Sequence, residues 1–194
     1  MVLFINSCPR KRGVSRTLDL CDCFIEEYLQ KNPSDEVKEI ALYEKEIKCL
    51  NYEEICRREK CFAQGDKDDQ VFYLAKEFAE AEKIIIGAPY WDLSFPSALK
   101  VYTERICVNG ITFQYTSTGP EGLSKSEKMM YITTAGGYIG KNAHGSAYMR
   151  SICEFVGAGE FVDFSAEGLD IVGNDAKKII DDAKAEIRKI AKSF

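Results

Sequence analysis

Apolar residues along this chain come in short bursts separated by stretches of helical spacing. Val2, Leu3, Phe4 and Ile5 form a continuous apolar run bounded by turn residues, which predicts a strand covered on both faces. Leu18, Cys21, Ile25 and Tyr28 or Leu29 then recur at the period of a helix. Residues 37–42 alternate like a second strand. Val71, Leu74, Ala75 and Phe78 mark another helix, and Lys83, Ile84, Ile85 and Ile86 a third strand. Pro96 is placed to open a helix running through Leu99, Tyr102 and Ile106. Residues 129–134 read as a fourth strand, 147–155 as a helix and 161–164 as a fifth strand. Ala176, Ile179, Ile180, Ala183, Ile187 and Ile190 give the clearest amphipathic helix, with Asn174 as its expected cap and Lys189 and Lys192 in its last turn.

Strands that alternate with helices imply an α/β fold: a five-stranded parallel sheet with helices on both faces and right-handed crossovers. No repeat and no Pro/Gly linker divides the chain, so residues 1–194 read as a single domain. Ligands of such sheets bind beyond the carboxyl ends of the strands. The search for chemistry therefore narrows to the loops after Ile5, Ile86 and Thr133. A charged excursion over residues 43–69, with a short helix over 52–62, reads as a lid or an interface element.

Composition removes several classes. Acidic residues number 31 against 26 basic ones, a net charge of −5, which argues against a general nucleic-acid binder. The longest apolar runs are far too short to span a membrane or to serve as a secretory leader, so no membrane association is expected. Eight cysteines scattered through helical and strand-like segments suit a reducing cytoplasm better than a disulfide scaffold.

The loop after the first strand carries hydroxyls at Ser7, Ser15 and Thr17 and basic side chains at Arg10, Lys11, Arg12 and Arg16, and it runs directly into a helix start. Helix-start amides with hydroxyls and cations make an anion site, suited to a phosphate monoester. It holds one glycine, so neither the dinucleotide fingerprint nor a P-loop is present. A phosphate site without a dinucleotide loop points to a mononucleotide such as FMN. The loop after the third strand offers Tyr90 and Trp91 as a flat wall for a heterocycle. Thr134, Gly136 and Gly137 follow the fourth strand, where glycines let backbone approach a ligand.

The runs APYWDLSFPSALKVY, GITFQYTSTGPEGL and YITTAGGY, in that order, resemble the FMN-dependent NADH azoreductases and related quinone reductases of the flavodoxin-like superfamily. The resemblance spans nearly the whole chain. It implies a homodimer that uses FMN, with NADH or NADPH as co-substrate, to reduce a planar small-molecule acceptor. By position, Ser7, Ser15, Arg16 and Thr17 would hold the phosphate. Pro89, Tyr90, Trp91, Asp92 and Leu93 would border the isoalloxazine, and Thr134, Ala135, Gly136 and Gly137 would complete the site. Phe113 would help wall the substrate pocket. No protein residue is assigned as catalytic, since the chemistry would belong to flavin N5. The alternative is a flavodoxin-type electron carrier or a non-catalytic flavin-binding module.

Three positions depart from the pattern: Asp92 stands where such enzymes often carry Asn, and Thr134-Ala135 where they often carry Ser-Arg. An ionised Asp92 beside the ring would disfavour an anionic reduced flavin, which implies a lower reduction potential or a protonated Asp92. Cys49, Cys56 and Cys61 lie in the charged excursion but lack the spacing and fourth ligand of a cluster site. Cys21 and Cys23 read as core residues. Cys8, near a helix start, is a candidate for a lowered thiol pKa. His144, the only histidine, has no metal-ligand spacing around it.

Overall fold

The computed structural model describes residues 1–45 and 47–194; Glu46, within the charged excursion, lies outside the described residues. Five strands, β1 (Val2–Asn6), β2 (Val37–Ala41), β3 (Lys83–Gly87), β6 (Lys128–Thr134) and β7 (Glu160–Ala166), form one sheet in the order β2-β1-β3-β6-β7. Every pairing in it is parallel. The residues of β1, and all but the first of β3, are buried, as a strand covered on both faces requires. The strand order is the flavodoxin-like one that the resemblance implies.

Two apolar layers sandwich the sheet. On one face α1 (Arg16–Lys31) and α6 (Ala176–Ser193) pack through Leu18, Phe24, Tyr28, Ile180 and Ile187 against Phe4, Ile85 and Ile132. On the other, α3 (Tyr73–Glu80), α4 (Ser97–Ile106) and α5 (His144–Val156) bring Phe78, Leu99, Tyr102 and Met149 onto Ile5, Ile84 and Tyr131. The alternation of Phe4 with Ile5, and of Ile84 with Ile85, across the two layers follows from the two-residue period of a strand. β1 leads to α1 on the first face and β3 leads to α4 on the second. Their loops therefore diverge and open a crevice at the carboxyl edge of the sheet.

Several local expectations are corrected. The cap of α6 is Asp175, whose side chain accepts from the Lys178 amide at 3.0 Å, while Asn174 donates to the Gly168 carbonyl at 2.8 Å. A capping oxygen must sit next to the first helical residue, and Asp175 holds that place. Pro96 occupies the position before α4 rather than its first turn. α5 begins at His144, three residues before the helix read from apolar spacing. An antiparallel hairpin, β4 (Phe113–Thr116) with β5 (Gly119–Gly122), has no counterpart in the sequence reading. At Gly122 an added Cβ would lie 2.2 Å from the Gly157 nitrogen, so the hairpin seats directly on the chain leaving α5.

The excursion forms α2 (Tyr52–Ala63), closed by a capping box of Asn51 and Glu54. Its Cys61 joins Phe72, Ala75 and Val108 in a small apolar cluster of its own. Among the described residues no helix is long and apolar enough to cross a membrane.

Candidate functional site

The loop leaving β1 is held from below and from the side. The Ser7 amide donates to the Gly87 carbonyl at 2.8 Å, and the Val14 and Ser15 amides both donate to the Lys11 carbonyl. Ser15 caps α1, accepting from the Leu18 amide at 3.2 Å. The first amides of α1 lie at the open end of that helix, where the macrodipole favours an anion. Thr17 and Thr134, both buried, share a hydrogen bond of 2.6 Å between hydroxyls, which ties the helix start to the end of β6.

The basic residues of this loop take unequal parts. Arg12 is engaged by Asp22 at 3.0 Å and Glu39 at 2.8 Å, and these hydrogen bonds push its pKa up. Arg16 donates from both terminal nitrogens to Asp170, at 2.9 and 3.1 Å, and to the Leu169 carbonyl at 3.3 Å. Arg10 stays exposed on the wall of the crevice.

Beyond β3 the backbone keeps pairing with its neighbour: Ala88 donates to Ile132 and Tyr90 to Thr134, each at 3.0 Å. The Tyr90 hydroxyl donates to the Asn142 carbonyl at 3.1 Å, so its ring is fixed at both ends. Trp91 and Ser94 then exchange backbone hydrogen bonds around a tight turn. The two central residues, Asp92 and Leu93, are left-handed, with φ of 49° and 66°. Asp tolerates this region, but a leucine held there is strained. The turn leaves Trp91 43% and Leu93 52% exposed at the rim.

The loop after β6 is clasped by the loop after β7. Leu169 donates to Ala135, Asp170 to Gly136 and Gly168 to Gly137. An added Cβ at Gly136 would sit 2.4 Å from Asp170 Oδ2, so only glycine lets the carboxylate lie there. These segments enclose a cavity of about 250 Å³. Ser15, Arg16, Thr17, Pro89, Tyr90, Trp91, Thr134 and Gly136 of the predicted site all line it.

Six predicted residues do not line this cavity. Asp92 and Leu93 project at the rim, while Ala135 and Gly137 support the wall through backbone bonds. Ser7 is fully buried, its Oγ without a hydrogen-bond partner. Phe113 packs on Phe155, ring centroids 4.4 Å apart. Three lining residues were missed: Pro9, Arg10 and Asp170. Arg10 and Pro9 belong to the basic loop already singled out. Asp170 follows β7 at the same sheet edge, outside the three loops after Ile5, Ile86 and Thr133.

The remaining candidates resolve simply. Burial raises the Cys8 thiol to about 12, the reverse of the helix-start expectation, because desolvation outweighs its hydrogen bond with Ser15. Cys21 and Cys23 are core residues. Among the described residues the one group of potential metal ligands is Cys61 with Asp66 and Asp69, so Cys49 and Cys56 do not converge on Cys61. No residue of α2 and not His144 lines the cavity.

One end of the cavity thus offers a helix start, hydroxyls and the exposed Arg10, and the other the aromatic wall of Tyr90 and Trp91. That donor set fits a phosphate-bearing planar heterocycle such as FMN: the polar end suits the phosphate and the aromatic end suits the ring.

Comparisons with known proteins identify the family of the fold. A family model described as a flavodoxin-like fold matches residues 1–191. The FMN-dependent NADH:quinone oxidoreductase 2 of Clostridium acetobutylicum is 39% identical over 198 residues, covering 100% of this chain and 98% of that protein. The FMN-dependent NADH:quinone oxidoreductase of Lachnoclostridium phytofermentans is 36% identical over 195 residues, with the same coverage. Among solved structures, an azoreductase from Bacillus anthracis Sterne superposes with a TM-score of 0.87 at 26% identity, over 100% of this chain and 99% of that one. The fold is also that of an FMN-dependent NADH-azoreductase from Bacillus anthracis Ames Ancestor solved in complex with FMN, at TM-score 0.85 and 20% identity, covering 99% and 97% of the two chains. Matched along nearly its whole length by the family model and by these relatives, the chain belongs to the flavodoxin-like family that the FMN-dependent NADH:quinone oxidoreductases share.

Proposed function

We propose that this protein is an FMN-dependent NADH oxidoreductase that passes two electrons to quinones, azo compounds or similar planar acceptors in a ping-pong sequence. The observation that carries the reading is one cavity joining the start of α1 to the aromatic loop after β3. Relatives along the full chain are named for the same cofactor and donor. When bound, FMN supplies reversible two-electron hydride exchange.

The protein's part is to bind and orient. The α1 amides, Ser15, Thr17 and Arg10 would hold the phosphate, with Ser7 and Arg16 shaping the loop around it. Pro89, Tyr90 and Trp91 would border the ring, and Asp92 and Leu93 its open edge. Thr134, Ala135, Gly136 and Gly137 would close the other side. We place the protein in the cytoplasm, where its eight unpaired thiols suit a reducing environment. It would work as a homodimer: Tyr138 and Val172 are exposed apolar residues that a second copy could cover. Phe113 is buried against Phe155 within its own chain, so its expected part in the substrate pocket is not carried into this reading.

Anaerobic addition of NADH to the FMN-loaded protein should bleach the flavin, and a soluble quinone should restore its colour with one quinone consumed per NADH. A flavin that NADH leaves oxidised would favour the electron-carrier alternative. Sedimentation should report twice the mass of one chain.

A further inference from the structure

The phosphate end of the cavity has two arginines on its wall but presents only one of them freely. Arg16 meets Asp170 edge to edge, two nitrogens to two oxygens, at 2.9 and 3.1 Å. A third bond from the same guanidinium reaches the Leu169 carbonyl at 3.3 Å. Three of its five N–H groups are therefore taken, including the end-on fork of its two terminal nitrogens, one of the forks that match a carboxylate or a phosphate. Asp170 in turn cannot drift: its amide donates to the Gly136 carbonyl at 2.9 Å, and its carboxylate occupies the space where any other residue at 136 would carry a Cβ. The hydrogen bonds from Arg16 hold the Asp170 carboxyl below its ordinary pKa, so it is ionised at neutral pH. A negative charge thus stands on the wall of the cavity whose α1 end is read above as the phosphate site.

We propose that Asp170 limits how tightly this site grips a phosphate monoester, by occupying the fork of Arg16 that the phosphate would otherwise take and by repelling the phosphate itself. The proposal rests on the flavin reading above. In the native protein the phosphate is held by helix-start amides, hydroxyls and Arg10, and Arg16 serves as a positioning residue for the loop over residues 168–170. The pair is partly exposed, with side chains 34% and 66% accessible, so it is a moderate brake and not a block.

The test compares FMN with riboflavin, which lacks the phosphate, by quenching of flavin fluorescence on flavin-free protein. Asp170→Asn should bind FMN about three- to tenfold more tightly. Riboflavin affinity should stay within about twofold, and FMN binding to the variant should weaken more steeply with added salt. Asp170→Ser should behave the same way, and adding Arg16→Gln to Asp170→Asn should cancel the gain. A merely structural role would move FMN and riboflavin together. Weaker or unchanged FMN binding by both Asp170 variants, or a parallel change for riboflavin, overturns the proposal while leaving the flavin site in place. If the unaltered protein and every variant bind no FMN, the flavin reading falls and this proposal falls with it.

Discussion

The two ends of the cavity are built on opposite principles. At the start of α1, side chains are locked in pairs: Thr17 with Thr134, Arg16 with Asp170, Arg12 with Asp22 and Glu39. At the loop after β3, the backbone of Tyr90 is pinned, but the following turn runs through two left-handed residues and leaves Trp91 and Leu93 open to solvent. A fixed polar end suits a ligand that is always the same, because preorganised donors do not have to be ordered on binding. An exposed aromatic rim suits acceptors that vary in shape. Cofactor retention should therefore depend on the first end and acceptor handling on the second.

The largest separation between the two ends is expected from Thr17→Val. It leaves the buried Thr134 hydroxyl unpaired and removes a hydroxyl from the phosphate end, so the FMN dissociation constant should rise about tenfold or more. Titration of flavin fluorescence would check this, and an unchanged constant would mean that the pair is not part of the cofactor site. Trp91→Ala should do the converse, raising KM for quinone and azo acceptors about five- to tenfold in steady-state assays while weakening FMN binding less than Thr17→Val does.

Smaller effects should appear in stability. Ser15→Ala removes the cap of α1 at a cost of about 1 kcal/mol, so thermal melts should shift down by about 2–4 °C. Leu93→Gly relieves the left-handed strain, and Tm should rise by a similar or smaller amount even as acceptor turnover falls. A drop in both would show that the turn is not strained. Least of all, Cys8 should resist alkylation at neutral pH: its thiol is buried and raised to about 12, whereas Cys49 is exposed. Peptide mapping after iodoacetamide would show which is modified.

Most of the sheet and its helices was legible because periods of two and 3.6 report burial directly, and the three inner strands are buried on two faces. The phosphate loop and the aromatic loop were legible for a related reason: a parallel sheet sends them to the same edge. Pairings between distant segments were not. Nothing near Arg16 in the chain announces a carboxylate at 170, and nothing near Arg12 announces Glu39, yet those partners decide which cations remain free. The candidate role of Cys8 fails because helix-start position favours a thiolate only where solvent or charge supports it, and burial of this thiol cancels that benefit. The β4–β5 hairpin carries Gly119, Pro120 and Gly122, a composition that gives no alternating strand signal; its seat against Gly157 makes it a hairpin.

A single flavin bridging the two ends would be visible in a crystal structure of the protein grown with FMN. The phosphate should lie at the start of α1 beside Ser15 and Thr17, and the ring along Tyr90 and Trp91 with Gly136 behind it. Density for FMN at any other place, or a ring turned away from the loop after β3, would contradict it.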